Sequence, residues 1–186
     1  PILKEIAGEG LPDGAKVFDL CCGTGQLAKI LTEKGYSVTG IDGSAEMLRY
    51  AKINAPDAEF IVEDARTFKL PPVFTAVFST FDALNHILKA AELQRTFKNV
   101  NKCLVGGGIF IFDLNTERHF KTNWKNWKEI KENPDYLFAA MGDYTPEKRL
   151  AQLHITMFQP KAKYWKRSDV TLYETFYPNP AVKSAL

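Results

Sequence analysis

The chain has 186 residues, of which 45% are hydrophobic and 25% are charged, and its formal net charge is +2. These values are typical of a globular chain that is large enough for one domain with a sizeable core. The small net charge excludes a general electrostatic attraction to nucleic acid or to a membrane. No apolar run approaches the ~18 residues that a membrane span needs, and the basic residues within 161–167 are interpreted as a solvated turn.

The cysteines are few and are not arranged for a disulfide framework or a metal site. Cys21 and Cys22 are adjacent, Cys103 lies far away, and no histidine stands at metal-ligand spacing from them. Such usage predicts reduced thiols, no metal and a cytoplasmic protein. No signal peptide is visible, and because the chain starts on Pro1 we expect it to have been trimmed.

Strands and helices are predicted to alternate over the first 114 residues. Ile2, Leu3 and Ile6 indicate the tail of an amphipathic helix. Strands are predicted at 17–19, 37–42, 58–62, 74–79 and 109–114, with helices at 27–34, 45–55 and 92–104, and the glycines 106–108 are expected to turn the chain into the fifth strand. This alternation implies parallel pairing and right-handed crossovers, and therefore a doubly wound α/β sheet.

The pattern changes after Asn115. Aromatic residues become dense, and segments 150–158, 169–177 and, more weakly, 136–141 alternate in the manner of strands. We interpret this region as an antiparallel β-meander laid over the carboxyl edge of the main sheet. Its rings would either form a pocket or fill the meander's own core.

A glycine-rich turn follows the first strand. Asp19 precedes Cys21, Gly23 and Gly25, and the next helix begins immediately after them. Glycines allow the main chain to approach a ligand, and the helix N-terminus points free N–H groups at it. The turn also fits the dinucleotide fingerprint, but Asp19 would repel a pyrophosphate and suits an ammonium or sulfonium cation.

Further acids stand at the ends of the next strands. Asp42 closes the second strand about 20 positions beyond Cys21, the offset of a ribose-binding acid. Asp64 and Ala65 follow the third strand, and Ser79 ends the fourth. Because ligands of open α/β sheets bind beyond the carboxyl ends of the strands, these residues predict one nucleotide site.

The chain from Val17 to about Thr116 resembles the class I S-adenosylmethionine-dependent methyltransferases. The match includes the acid-x-Gly-x-Gly-x-Gly motif, with Cys21 replacing its first glycine. The resemblance implies S-adenosyl-L-methionine as cofactor and a Rossmann-like methyltransferase fold with a mostly parallel sheet. Members of the family usually continue past the fifth strand to a helix and a final antiparallel strand pair. We interpret the β-meander as an insertion after the fifth strand and expect the C-terminal strand pair to be missing; the alternative is that the meander is that pair. The implied cofactor-binding residues are Asp19, Cys21, Gly23, Gly25, Asp42, Gly43, Met47, Asp64, Ala65 and Ser79.

This reading divides the chain into three parts. Residues 1–115 are expected to form the cofactor-binding core, 116–178 the β insertion that acts as a lid, and 179–186 the start of a truncated C-terminal helix. Trp124, Trp127 and Tyr173 are the rings expected to face the methyl group. In-line methyl transfer depends mainly on alignment, and a base is needed only when the acceptor starts protonated. The candidates for that base are Asp82, His86 and His119, with Asn85 as a polar neighbour, whereas His154 is interpreted as structural.

Three functions compete. The first is a methyltransferase for a small-molecule acceptor, with no nucleic-acid or membrane partner and the oligomeric state left open. The second is a non-catalytic domain that binds S-adenosylmethionine, and the third is a nicotinamide-dependent oxidoreductase, which Asp19 disfavours. The Asn- or Asp-Pro-Pro-Tyr signature of methylation on planar amide or base nitrogens is missing after the fourth strand, where Ser79-Thr80-Phe81-Asp82 stands. An adenine or glutamine acceptor is therefore disfavoured.

Overall fold

The computed structural model describes residues 11–186, so the helix predicted within the first ten residues lies outside the described residues. The described chain divides into two compact units. The first comprises residues 11–83, Ala91–Asp113 and Ala185–Leu186. The second comprises Leu84–Ala90 and Leu114–Ser184.

The first unit is built on a five-stranded parallel sheet with the order β3-β2-β1-β4-β5. This arrangement confirms the predicted doubly wound α/β fold. The strands are β1 Lys16–Leu20, β2 Ser37–Asp42, β3 Glu59–Val62, β4 Phe74–Ser79 and β5 Leu104–Phe112, and the helices are α1 Gln26–Glu33, α2 Ala45–Asn54 and α3 Ala90–Cys103.

Local sequence signals set the helix boundaries in this unit. The Ser44 hydroxyl accepts a hydrogen bond from the Met47 N–H at 3.2 Å, which caps the first turn of α2. Helix α1 ends before Gly35, whose φ of 86° lies in the left-handed region that glycine favours at a helix C-terminus. Both ends agree with the sequence prediction.

Strand β1 lies at the centre of the sheet and is buried. Val17, Phe18 and Leu20 are fully inaccessible to solvent, and the ring of Phe18 lies 5.2 Å from the rings of both Phe68 and Phe74. This packing fixes the strand that carries Asp19 and leads into the glycine turn.

The prediction for the start of β5 was wrong. The strand begins at Leu104, and the three glycines lie inside it rather than before it. Its pairing with β4 jumps from Phe74 opposite Leu104 to Ala76 opposite Ile109, so the glycines form a bulge. Gly107 has a φ of 79° there, which explains why glycine is needed at this point.

The second unit contains a four-stranded antiparallel sheet with the order β6-β7-β8-β9. The meander is therefore confirmed, with one strand that sequence reasoning missed. That strand, β6, alternates poorly because charged residues surround Ile130. The elements are a helical segment Glu117–His119 continued by Phe120–Trp124, the strands β6 Trp127–Asn133, β7 Tyr136–Thr145, β8 Leu150–Lys161 and β9 Tyr164–Thr175, and α4 Asn179–Ala185.

Aromatic residues form a small core within the second unit. The buried rings of Phe120 and Tyr144 stack with centroids 5.4 Å apart, and Trp124 meets Phe120 edge-on at the same distance. Part of the aromatic density noted in the sequence thus fills this unit's own core. Trp127 and Tyr173 are 37% and 42% exposed and lie outside this core.

Candidate functional site

The turn after β1 is held in a conformation that favours glycine. Cys21, Gly23 and Gly25 have φ values of 62°, 53° and 75°, all in the left-handed region. The turn is closed by the Gly25 N–H, which donates to the Cys22 carbonyl at 2.9 Å. Cys21 stands where the family motif has its first glycine, so this chain tolerates backbone strain at that position.

Gly25 is also required for packing. A Cβ atom built on it would lie 3.0 Å from Cα and Cβ of Ala51 and 3.2 Å from the ring of Phe60. At Gly23 and Gly43, no described atom would lie within 4 Å of such a Cβ. The turn is therefore tightly packed beneath Gly25 and open around Gly23.

We expect Gly25→Ala to lower the free energy of unfolding by about 2 kcal/mol or more, because the substitution adds left-handed strain to overpacking. Chemical denaturation followed by circular dichroism at 222 nm measures the effect. Gly43→Ala is the matched control, since its Cβ enters open space without a positive φ. Equal stability of the two variants would contradict the packing role of Gly25.

Asp42, at the end of β2, joins two backbone segments. Its Oδ2 accepts a hydrogen bond from the Gly23 N–H at 3.0 Å, and its Oδ1 accepts one from the Ser44 N–H at 2.8 Å. Sequence reasoning assigned Asp42 to a ribose and did not foresee these bonds. Because a carboxylate has about four acceptor positions, Asp42 can hold the turn and still accept from a ligand hydroxyl.

Asp19 is a buried carboxyl group with unused hydrogen-bonding capacity. Only 2% of its surface is exposed, and among the described residues its Oδ2 and the buried Oγ of Ser79 have no hydrogen-bond partner. Burial raises the pKa of Asp19 to about 7, a backbone hydrogen bond from Ala28 opposes the shift, and the nearby negative charge of Asp42 adds to it. Two such orphaned polar atoms on adjacent strands indicate a place for a polar or cationic ligand group.

The two cysteines of the turn are poor nucleophiles. Burial raises the pKa of Cys21 to about 12, and the carboxylates of Asp42, Asp19 and Asp64 add to the shift. Burial also raises the pKa of Cys22. Both thiols therefore stay protonated at neutral pH and contribute shape rather than reactivity.

The residues after β3 form an ion pair that sequence reasoning missed. Both oxygens of Asp64 accept hydrogen bonds from the Arg66 guanidinium, and Oδ1 also accepts from the Arg66 N–H at 2.8 Å. The hydrogen bonds from Arg66 hold the pKa of Asp64 below its usual range. Asp64 is thus a fixed anion, with Ala65 half-buried beside it.

The structure brings most of the predicted cofactor residues to one edge of the first unit. Because the five strands are parallel, the segments that follow β1, β2, β3 and β4 leave the sheet on the same side. Met47 lies in the first turn of α2, and its side chain is exposed. The residues at this edge are Asp19, Cys21, Gly23, Gly25, Asp42, Gly43, Asp64, Ala65 and Ser79.

The segment after β4 is strained. Phe81 and Asp82 have φ values of 60° and 50°, and the Asp82 N–H donates to Asp113 Oδ2 at 2.9 Å. The ring of Phe81 is 76% exposed. A bulky residue with a positive φ is uncommon, and such strain tends to occur at functional sites. No sequence signal pointed to Phe81.

Among the catalytic candidates, His86 belongs to a polar cluster of the second unit. Its Nδ1 lies 2.9 Å from the Tyr173 carbonyl oxygen, and its Nε2 lies 3.7 Å from Oε1 of Glu174. The Glu174 side chain is nearly fully buried, and its Oε2 accepts a hydrogen bond from Asn115 Nδ2 at 3.1 Å. Sequence reasoning missed Glu174, because an acid near the end of a strand gives no distinctive pattern.

His119 has a different environment. Its Nδ1 lies 3.2 Å from Nδ2 of Asn123, and its ring packs edge-on against Phe120. Unlike His86, it forms no ion pair with a carboxylate of residues 11–186. The described residues contain no group of three or more His, Cys, Asp or Glu side chains that could hold a metal ion. None of the helices within 11–186 is long and apolar enough to cross a membrane.

Comparison with known proteins gives concordant matches. The family profile described as "Methyltransferase domain" matches residues 17–108. The uncharacterized methyltransferase sll0829 of Synechocystis sp. is 36% identical over 118 residues, which cover 63% of this chain and 53% of that protein. The dTDP-3-amino-3,4,6-trideoxy-alpha-D-glucopyranose N,N-dimethyltransferase of Streptomyces venezuelae is 28% identical over 111 residues, covering 60% of this chain and 47% of that protein.

The solved structures agree on the fold. The sugar N-methyltransferase KedS8 from Streptoalloteichus sp. matches with a TM-score of 0.84 at 19% identity, over 100% of this chain and 75% of that chain. The chain spans about half the length of the curated relatives it matches first. On the glycine turn, the parallel sheet and these matches together, the chain belongs to the class I S-adenosylmethionine-dependent methyltransferase family.

Proposed function

We propose that the protein transfers a methyl group from S-adenosylmethionine to a small-molecule acceptor. The observation that carries this proposal is the buried carboxyl group of Asp19, whose Oδ2 and the neighbouring Ser79 Oγ have no hydrogen-bond partner among the described residues. These two orphaned atoms fit the cationic methionine end of that cofactor. They do not suit a pyrophosphate, which Asp19 would repel.

The remaining residues of the edge fit the other parts of the cofactor. Asp42 accepts from the ribose hydroxyls, and Asp64 accepts from the adenine amino group while the Ala65 backbone donates to a ring nitrogen. The open space at Gly23 and Gly43 lets the main chain approach the ligand closely. The remaining contacts come from Cys21, Gly25 and Met47.

S-adenosylmethionine supplies an electrophilic methyl group on a sulfonium. The contribution of the protein is then mainly to align the acceptor atom with that methyl group and to exclude water. Of the three catalytic candidates, His86 has the geometry of a base because a carboxylate lies near one of its nitrogens. Asp82 and His119 remain weaker candidates.

The acceptor that we propose carries a nucleophilic nitrogen. The Streptomyces venezuelae relative is named for N,N-dimethylation of an amino sugar, and the names of other relatives also point to amine acceptors. We further propose that residues 1–115 bind the cofactor, that 116–178 act as the lid that selects the acceptor, and that 179–186 begin a C-terminal helix. The three cysteines are free thiols, which supports a cytoplasmic location.

We expect Asp42→Ala to weaken binding of S-adenosylmethionine by about 1.5–3 kcal/mol, the range for hydrogen bonds to a charged group. The loss includes the two backbone contacts that keep the turn in place. Calorimetry on the folded variant measures the change, with the exposed Asp57→Ala as control. An unchanged affinity would remove Asp42 from the site.

The competing functions are separated by binding and turnover. A methyltransferase binds S-adenosylmethionine in preference to NAD, and it forms S-adenosylhomocysteine when an acceptor is present. Tighter binding of NAD would favour the oxidoreductase. Binding without turnover in any acceptor mixture would favour a non-catalytic domain.

A further inference from the structure

Strand β6 forms one edge of the antiparallel sheet in the second unit. It pairs with β7 on one side, and on its other side its backbone forms no hydrogen bond within residues 11–186. Such an edge presents a row of unpaired N–H and C=O groups, which is a template for pairing with another strand.

The side chains of β6 carry a symmetric pattern of charge. The central residues read Lys-Glu-Ile-Lys-Glu around Ile130, so residues at equal distances on either side of Ile130 have opposite charges. The Ile130 side chain is 74% exposed. Lys131 Nζ lies 2.8 Å from Glu129 Oε1, whereas Lys128 and Glu132 are exposed and form no ion pair within residues 11–186. The strand thus displays two charges without ion-pair partners around an exposed aliphatic side chain.

This pattern is complementary to a second copy of the same strand. When two β6 strands run antiparallel with their Ile130 side chains opposite each other, Lys128 faces Glu132 of the second copy, and Glu129 faces Lys131. The same contacts recur on the other side of the two-fold axis, as in any isologous interface. Opposite charges at facing positions of a sheet are stabilising, and like charges are destabilising. All five central positions therefore find a suitable counterpart.

Other arrangements of two β6 strands bring like charges together. A two-fold axis at Glu129 or at Lys131 places two identical charges opposite each other, and an in-register parallel pair does so at four positions. Charges at a sheet edge commonly prevent pairing with foreign strands. Here their order also specifies one register and one strand direction for pairing with a second copy.

The opposite edge of the sheet, β9, is less available for pairing. His86 Nδ1 lies 2.9 Å from the Tyr173 carbonyl oxygen, so part of that edge already has a partner. Arg167 donates from Nε and Nη2 to the carboxylate of Asp169, which satisfies the main charges of β9 within the chain. The free edge of β6 is therefore the better surface for association.

We propose that β6 is a self-association surface, through which two copies of this chain form a symmetric dimer and join their four-stranded sheets into one. The strand has seven residues, which extend over about 24 Å at the usual rise of a strand. A contact of this length is short compared with the interfaces of stable dimers. The dimer therefore dissociates in the micromolar range, and its formation does not depend on the proposed methyl transfer.

Sedimentation velocity of the purified protein over a range of micromolar concentrations tests this association, and we expect a monomer–dimer equilibrium. Lys128→Glu or Glu132→Lys alone places like charges at two facing positions of the dimer, so each should raise the dissociation constant roughly tenfold or more. An equimolar mixture of the two variants has opposite charges at these positions again. The mixture should dimerise about as well as the unsubstituted protein, and so should the double variant Lys128→Glu/Glu132→Lys.

Lys166→Glu is the matched control, because it makes the same charge change at an exposed position of β9. It should leave the dissociation constant unchanged, and circular dichroism should show that every variant is folded. A protein that stays monomeric throughout the concentration range would overturn the proposal. Single variants that dimerise normally, or folded variants whose mixture does not dimerise, would also overturn it. Equal weakening by Lys166→Glu would assign the association to a different surface and refute the role of β6.

Discussion

Asp19→Asn is expected to stabilise the ligand-free protein above neutral pH and at the same time to weaken its binding of S-adenosylmethionine. The side chain is buried, and its pKa is raised to about 7. Asparagine has the same shape and no charge, so it removes the cost of burying the carboxylate. A gain in stability together with a loss of affinity for S-adenosylmethionine would show that Asp19 serves binding through its charge.

The sign of the stability change follows from proton linkage. Between the ordinary pKa of 3.8 and the folded-state value of about 7, the folded protein holds the Asp19 proton more tightly than the unfolded chain does. The stability from this group is therefore fully present below about pH 4 and is lost as the pH rises through 7. At 1.36 kcal/mol per pKa unit, the loss is on the order of 4 kcal/mol.

Denaturation at pH 4 and at pH 8, followed by circular dichroism at 222 nm, tests this expectation. Asp19→Asn should match the unsubstituted protein at pH 4 and exceed it at pH 8. Asp57→Asn, at an exposed position, should show no such difference between the two pH values. A constant offset at both pH values would mean that the substitution acts through packing and not through charge.

Binding should change in the opposite direction. A cationic ligand favours the ionised form of Asp19, so affinity for S-adenosylmethionine should rise between pH 6 and pH 8, and Asp19→Asn should abolish most of that rise. At pH 8 the variant should bind about ten- to 100-fold more weakly, as expected for a lost hydrogen bond to a charged group. Adenosine is the control ligand. Equal weakening of adenosine would assign Asp19 to support of the turn.

The sequence predicted those parts of the fold that local signals determine. The glycine turn, the Ser44 cap and the alternating strands are each specified by residues close together in the chain. The bulge in β5 was not predictable, because three glycines mark a turn as readily as a bulge inside a strand. Strand β6 was missed because its charged residues conceal its alternation around Ile130.

In the candidate site, too, residues marked by local sequence signals were predicted and long-range contacts were not. The residues of the first unit were found because they stand at predictable strand ends. The pairing of Asp64 with Arg66 and that of His86 with Glu174 were not found. The second of these joins residues 88 positions apart, whose register depends on how an antiparallel sheet folds back. The burial of a single acid depends on the three-dimensional packing around it, which the sequence does not show. Burial is what distinguishes Asp19 and Glu174 from ordinary surface acids.

Phe120→Ala is expected to unfold or loosen the second unit and to leave cofactor binding nearly intact. Phe120 is fully buried, stacks on Tyr144 and meets Trp124 edge-on, and these three rings form most of a small core. Truncation of a buried phenylalanine costs about 3–5 kcal/mol. The proposed cofactor contacts come from the first unit, so affinity for S-adenosylmethionine should fall less than threefold.

The chain offers a selective probe for this experiment. All three tryptophans, Trp124, Trp127 and Trp165, belong to the second unit, so their fluorescence reports its unfolding while calorimetry reports cofactor binding. Tyr164→Ala removes an exposed ring and is the matched control. We expect the fluorescence transition of Phe120→Ala to shift to lower denaturant and methyl transfer to be lost, because residues 116–178 are proposed to select the acceptor. Loss of cofactor binding in parallel with the fluorescence change would show that residues 116–178 contribute to the cofactor site. It would contradict the proposal that residues 1–115 alone bind the cofactor.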